Sequence, residues 1–258
     1  MIALAIPLGV AIGLIVGAVG GGGAILALPV LVYVLDQPVG PASTASLVVV
    51  AVAAAVGAGA LARHGHVCWG LALVFSGPAA LGSILGAMAN DAVSARVLIL
   101  AFVPVMALAA GATWQRAAGS RADERAGCPR IPFARAAVAG AAVGVLTGFF
   151  GVGGGFMIVP VLTLWLGVGF RRAVATSLVI ITITGLAALV SHLVVGARMD
   201  LSITAALALA TAAGAVAGTT IGRRLPQAVL GRAFALVVAG VGVFLLVDVA
   251  VLGGPPGA

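Results

Sequence analysis

The sequence predicts an all-α polytopic membrane protein made of two inverted repeats, each a glycine-tipped helical hairpin plus three transmembrane helices. Three observations predict it. Of 258 residues, 63% are hydrophobic and 7% charged, whereas a soluble domain is about 45–50% apolar and about 25% charged. The second half of the chain repeats the first at a constant offset of 131 residues. The arginines fall so that matched loops of the two halves lie on opposite sides of a membrane.

Composition excludes most functional classes. A spanning helix needs about 20 apolar residues, and most of the chain is written in blocks of that size, so no enzyme head or nucleic-acid module has room. The net charge of +7 would suggest a polyanion partner in a soluble chain. Here the basic residues, all 13 of them arginine, lie between apolar blocks and read as topology determinants rather than a nucleic-acid surface. Met1-Ile2-Ala3 opens apolar without a charged leader region, so the first segment is read as permanent.

Apolar blocks run over 2–19, 24–35, 43–62, 69–89 and 93–113, then 134–150, 156–168, 174–195, 201–222 and 229–252. The polar stretch from Gln115 to Arg130 separates the halves, giving a first repeat 1–113, a linker 114–133 and a second repeat 134–258. Gly13, Gly17, Gly20, Gly22 and Gly23 fall on Gly144, Gly148, Gly151, Gly153 and Gly154, Pro29 on Pro160, Leu31 on Leu162, and Ser46-Leu47-Val48 on Ser177-Leu178-Val179. Beyond Gly65 and Gly196 a one-residue insertion shifts the register, and Gly82 and Gly86 match Gly214 and Gly218.

With the linker cytoplasmic, two placements of Arg171-Arg172 compete. If blocks 134–150 and 156–168 begin and end on one side, eleven arginines are cytoplasmic and only Arg96 and Arg198 are outside, the asymmetry expected of loops beside spanning segments. This placement puts both termini outside and inverts the repeats, an architecture that secondary transporters use for alternating access. Cys68 and Cys128 then face the cytoplasm, where free thiols are expected.

Blocks 24–35 and 156–168 are too short to span, since about 12 helical residues rise roughly 18 Å against a core of about 30 Å. Each is expected to begin inside the bilayer, so that Gly20 to Gly23 and Gly151 to Gly155 form the tips of hairpins entering from opposite faces. Each glycine costs a helix roughly 1 kcal/mol, which favours a break there. A helix starting at such a break exposes unpaired N–H groups and the positive end of its dipole, chemistry that suits an anion. Gly13, Gly17, Gly144, Gly148, Gly82, Gly86, Gly214 and Gly218, at four-residue spacing, read as close helix packing. A dinucleotide-binding turn is excluded by the membrane-length flanks.

The paired motif, Gly13-x3-Gly17-x2-Gly20-x-Gly22-Gly23 through Pro29-x-Leu31 and Gly144-x3-Gly148-x2-Gly151-x-Gly153-Gly154-Gly155 through Pro160-x-Leu162, each followed by Ser-Leu-Val, resembles the TauE/SafE sulfite exporter family over nearly the whole chain. The resemblance implies a bacterial inner-membrane permease for sulfite, sulfoacetate or another small sulfur-containing anion. Ala24 stands where the second copy has Gly155, and Asp36-Gln37-Pro38 shares nothing with Gly167-Val168-Gly169, which leaves room for unequal tips.

The candidate substrate site is therefore Gly20, Gly21, Gly22 and Gly23 with Gly151, Gly153, Gly154 and Gly155, and the repeat-equivalent hydroxyls of Ser46 and Ser177. Capping at Ser43 or Thr44 and helix-to-helix bonds account for the remaining hydroxyls. His64, His66 and Cys68 alternate in a short loop and lack the further ligands a metal needs, so no metal or cofactor is assigned. His192 and Asp248 are candidate proton relays, though both lie near helix ends. Trp69, Trp114 and Trp165 read as interfacial anchors. Expected partners are a small anion and the lipid bilayer, with no nucleic acid; the oligomeric state is left open. A passive anion channel is the competing function.

Overall fold

In the computed structural model, residues 2–90, 95–119, 127–150, 155–194 and 199–247 are described, and among them every regular element is helical. The first half has α1 (Ile2–Val19), a tight turn at Gly20 to Gly23, the short α2 (Ala24–Pro29), then α3 (Val39–Ala62), α4 (Trp69–Asn90) and α5 (Ala95–Gly119). The second half has α6 (Phe133–Phe150), α7 (Gly155–Pro160), α8 (Phe170–Val194), α9 (Leu201–Arg224) and α10 (Gln227–Val247). Six of these helices are long and apolar enough to cross a membrane. The protein is an all-α polytopic membrane protein.

Each short helix ends in a single wide turn, Val30–Val34 after α2 and Val161–Trp165 after α7. Pro29 and Pro160 lack an N–H and crowd the preceding turn, which loosens the helix into i→i−5 bonding. Leu35 donates to the Val30 carbonyl at 3.0 Å and Leu166 to the Val161 carbonyl at 3.1 Å. The chain then reverses at positive φ, 51° at Asp36 and 68° at Gly167. Asp36-Gln37-Pro38 and Gly167-Val168-Gly169 share no residue type, yet their backbones match, so the unlike sequences there do not make the hairpin ends unlike.

The most extensive pairings are α1 with α9 and α4 with α6, so each hairpin's first helix lies against a helix of the other half. Glycine makes this possible. A side chain at Gly13 or Gly17 would run into the backbone of Thr211 or Ala215, and one at Gly214 or Gly218 into Val10 or Leu14. On the other pair, Gly144 and Gly148 abut the carbonyls of Ala79 and Ser83, while Gly82 and Gly86 abut those of Ala141 and Val145. Lipid is as apolar as the side chains, so tight van der Waals contact rather than hydrophobic exclusion holds such pairs together. The outer surface carries the large residues: Leu81 is 68% exposed, Leu108 73% and Leu209 72%.

Two ends of the bundle differ in charge. At one, Ala5 near the start of α1 packs in one cluster with Leu31 and Leu35 after α2, Ala42 and Ala45 of α3, and Ile203 and Leu207 of α9. The first hairpin thus begins and finishes at this end, beside Asp36 and Asp200. At the other end, Arg135 in the first turn of α6 donates to the Trp165 carbonyl at 2.7 Å, so the second hairpin begins and finishes there. Arg63, Arg171, Arg172, Arg223 and Arg224 lie at this arginine end with Trp69, Trp114 and Trp165, which are 42–55% exposed.

Three expectations are corrected. Ser43 and Thr44 do not cap α3, which begins four residues earlier after Pro38; the Ser46 hydroxyl instead donates to the Ser43 carbonyl at 2.7 Å and Thr44 to Gly40 at 3.4 Å. Cys68 and Cys128 are not free thiols but a disulfide, with Cα atoms 5.7 Å apart. The compartment argument weighs redox poise and is blind to proximity, and the fold brings together two loops 60 residues apart. α5 also runs six residues beyond the block read from sequence, to Gly119.

Cys68 is 3% exposed and Cys128 lies at the surface. After reduction, an impermeant maleimide should modify Cys128 well before Cys68; equal rates would contradict the burial of Cys68.

Candidate functional site

The tip of the first hairpin meets the start of α7. Gly21 lies so close to Gly155 that a side chain placed on it would overlap the Gly155 carbonyl. Gly20 turns at φ 82°, a conformation glycine adopts freely and L side chains resist. A Cβ there would sit 2.9 Å from the Ser177 hydroxyl and 3.2 Å from the Val159 side chain, so the first tip is seated against α7 and α8 of the second half. Gly23 packs on α1, where a Cβ would stand 2.6 Å from the Val16 side chain.

Ser177 is fully buried, and its hydroxyl donates its one proton to the Val174 carbonyl at 2.8 Å, leaving the oxygen lone pairs beside Gly20. Ser46 makes the equivalent bond within α3 but is only partly buried. Among the predicted residues the structure therefore brings together Gly20, Gly21, Gly155 and Ser177. Gly22 belongs to the tight turn Gly21–Gly23. Gly151, Gly153 and Gly154 lie outside the described residues, as do Asp248 and the side chain of His192.

Hydroxyls line the neighbouring turn of α8. Thr176, fully buried, accepts a hydrogen bond from the Cys68 amide at 3.1 Å, tying the disulfide loop to the helix that carries Ser177. Sequence reasoning missed this connection; no local signal links residue 68 to residue 176. It also missed how His64, His66 and Cys68 are used. Cys68 is in the disulfide, and the His64 ring donates from Nδ1 to the Ala60 carbonyl at 2.8 Å while Nε2 accepts from Arg223. These roles follow from the donor-only guanidinium.

A family model for the sulfite exporter TauE/SafE matches residues 5–245. The chain belongs to the TauE/SafE sulfite exporter family. Among relatives of this TauE/SafE chain are two probable membrane transporter proteins of Xylella fastidiosa, from strains Temecula1 and 9a5c. They are 32% identical over 243 residues and 31% over 244, covering 91% of this chain and 91% of each relative. The probable membrane transporter protein YdhB of Bacillus subtilis is 27% identical over 236 residues, 91% of this chain and 96% of its own length. No solved structure matches. Like its relatives, this TauE/SafE member is a multi-pass membrane transporter and not an enzyme.

Proposed function

We propose that the protein is a secondary transporter of a small anion, of the sulfite, sulfoacetate, organosulfonate or sulfur-oxyanion class, working by alternating access in the bacterial inner membrane. The contact of the Gly20–Gly23 tip with Gly155, with the Ser177 hydroxyl against Gly20, carries this reading. Helices α2 and α7 both start at this contact, and backbone N–H groups at the start of a helix are chemistry that suits an anion. We place the substrate at this junction, between Gly20, Gly21, Gly22, Gly23 and Ser46 of one half and Gly151, Gly153, Gly154, Gly155 and Ser177 of the other. Backbone amides hold charge modestly, on the order of 1 kcal/mol per helix end, so weak binding and ready release are expected.

The crossed pairing of the halves and the entry of the hairpins from opposite ends support an inverted repeat, in which rocking of one half against the other alternates access to a central site. Arginines at one end and aspartates at the other support a cytoplasmic arginine end. Impermeant thiol labelling of Arg121→Cys, in a background lacking Cys68 and Cys128, tests that orientation. The linker should be protected in sealed cells, and labelling from outside would place the arginine end outside.

Proteoliposome uptake of labelled sulfite, sulfoacetate and other sulfonates, with and without a pH gradient, tests the function. Saturable anion uptake is expected. Cation transport without anion dependence would overturn the reading, and conductance far above carrier turnover in a bilayer recording would replace it with a channel.

A further inference from the structure

The Cys68–Cys128 bridge stands at the arginine end, where three segments distant in sequence converge. It joins the residue before α4 to the segment before α6, two helices that run parallel and in contact, with Gly140 and Gly144 against the carbonyls of Phe75 and Ala79. The bridged residues are also fastened to α8. The Cys68 amide donates to Thr176, the residue before Ser177, and Arg172 reaches the Gly65 carbonyl at 3.2 Å and the Cys128 sulfur at 3.8 Å. Arg223 bonds the His64 ring of the same loop, and Arg171 reaches from α8 to the carbonyls of Arg223 and, at 3.1 Å, of Leu225.

Holding α4 to α6 does not require a covalent bond, because close glycine contacts already seat one helix on the other. In a reducing compartment, disulfides are mostly transient, catalytic or redox-sensing rather than structural. The two sulfurs are also unequal. Cys68 is 3% exposed and Cys128 lies at the surface, and both border a surface cavity of about 500 Å³ that is lined also by Trp69, Leu71, Arg130 and Phe133. Which sulfur of a disulfide is attacked depends on access and on how well the other sulfur departs as thiolate. Access selects Cys128 for attack, so Cys68 departs. Cys68 stands at the N-terminal end of α4, its carbonyl accepting from the Ala72 amide at 2.9 Å, and that end of a helix favours a thiolate.

We propose that Cys128 is a covalent sensing site for sulfite, at which the anion opens the Cys68–Cys128 bridge and releases the linker from α8. The sulfur lone pair of sulfite attacks the Cys128 Sγ in line with the bridge. A bond to the sulfur of the SO3 group forms as the Cys68–Cys128 bond breaks, and the bonding electron pair leaves on the Cys68 Sγ as a thiolate. Sulfite is oxidised and Cys68 reduced, with no further reactant. Sulfate and sulfonates have no lone pair on sulfur and do not react, so the site distinguishes sulfite from them. The Gly65–Arg172 and Cys68–Thr176 bonds join the first half to the second at this mouth, and they part when rocking of the halves opens it. The bridge holds Cys68 in place, so breaking it speeds transport when sulfite is present. The modification site stands on its own geometry; its control of transport rests on the anion-transport reading.

The oxidised full-length protein in neutral detergent is treated with sulfite, or with sulfate at matched ionic strength, then quenched with acid, unfolded, alkylated with a maleimide and mapped by mass spectrometry. Sulfite should leave an SO3 adduct on Cys128 and maleimide on Cys68; sulfate should leave neither. An adduct on Cys68, an even split between the two cysteines, or no adduct while oxidised glutathione in the same tube is cleaved would overturn the site. In the last case, opening by a dithiol alone would make the bridge a thiol switch. For the control of transport, protein treated with sulfite before reconstitution should take up a labelled sulfonate, which cannot cleave a disulfide, at least twofold faster than the oxidised protein. Dithiol treatment should raise uptake equally, and Cys128→Ser, checked as folded by its melting curve, should run at the raised rate and ignore sulfite. Unchanged or slower uptake by the opened protein would overturn the control of transport. An adduct on Cys128 in a protein that moves no anion would leave the modification site standing and remove the transport reading.

Discussion

Gly21→Ala is expected to abolish anion binding while leaving most of the helical bundle folded. Its new methyl group would occupy the space of the Gly155 carbonyl, backbone that cannot rotate aside as a side chain can. One tip must retreat from the other. Overpacking of this kind costs about 1–3 kcal/mol, borne locally by the tips rather than by the α1–α9 and α4–α6 pairs. The measurement is sulfite-dependent thermal stabilisation in detergent, where a loss of at least tenfold in apparent affinity is expected. Gly59→Ala is the control, since a Cβ there meets nothing within 4 Å. Gly20→Ala should act in the same direction through its φ of 82°, at a cost of about 1–2 kcal/mol. Normal sulfite stabilisation in folded Gly21→Ala would remove the basis for a site at the tips.

Gly148→Leu and Gly17→Leu are expected to give the opposite pattern. Gly148 faces the Ser83 carbonyl and Gly17 the Ala215 carbonyl, within the two most extensive helix pairings. A leucine forces the helices of each pair apart and loses the contacts that hold helices together in lipid. Folded yield in detergent should fall several-fold, and what survives should bind sulfite with native affinity once normalised to folded protein. An unchanged melting temperature in Gly148→Leu would mean that α4 and α6 do not depend on close approach.

Much of this contrast was legible in the sequence. Gly13-x3-Gly17 and Gly144-x3-Gly148 keep a four-residue spacing that puts them on one helix face, so their packing role follows from periodicity. The consecutive run at Gly20 to Gly23 cannot be a face of anything and had to be a break. Helix limits were read to within about four residues at most ends, because apolar blocks and their polar flanks are local. The start of α3 was placed late because Val39-Gly40-Pro41-Ala42 looks like a loop; Pro41 is tolerated there in the first turn, where its missing N–H has no helical partner to lose.

The site was legible only in outline. Ser177 was chosen because it repeats Ser46, yet repetition does not say that the Ser177 hydroxyl sits on the Gly20 turn of the other half. The run His64, His66 and Cys68 drew attention as a metal pattern, and it serves instead in a disulfide and a basic cluster whose other members lie more than 50 residues away in sequence.

Membrane class, repeat duplication, the broken hairpins and the segregation of charge were all written in composition and spacing, since a bilayer screens each segment one at a time for length, hydropathy and flanking arginines. The meeting of Gly21 with Gly155, the crossed pairing of α1 with α9 and α4 with α6, the Cys68–Cys128 bridge and the gathering of Arg171, Arg172 and Arg223 were decided by tertiary structure. Each joins residues from different helices, and which faces of ten apolar helices touch depends on how their surfaces fit together, a property that no single segment carries.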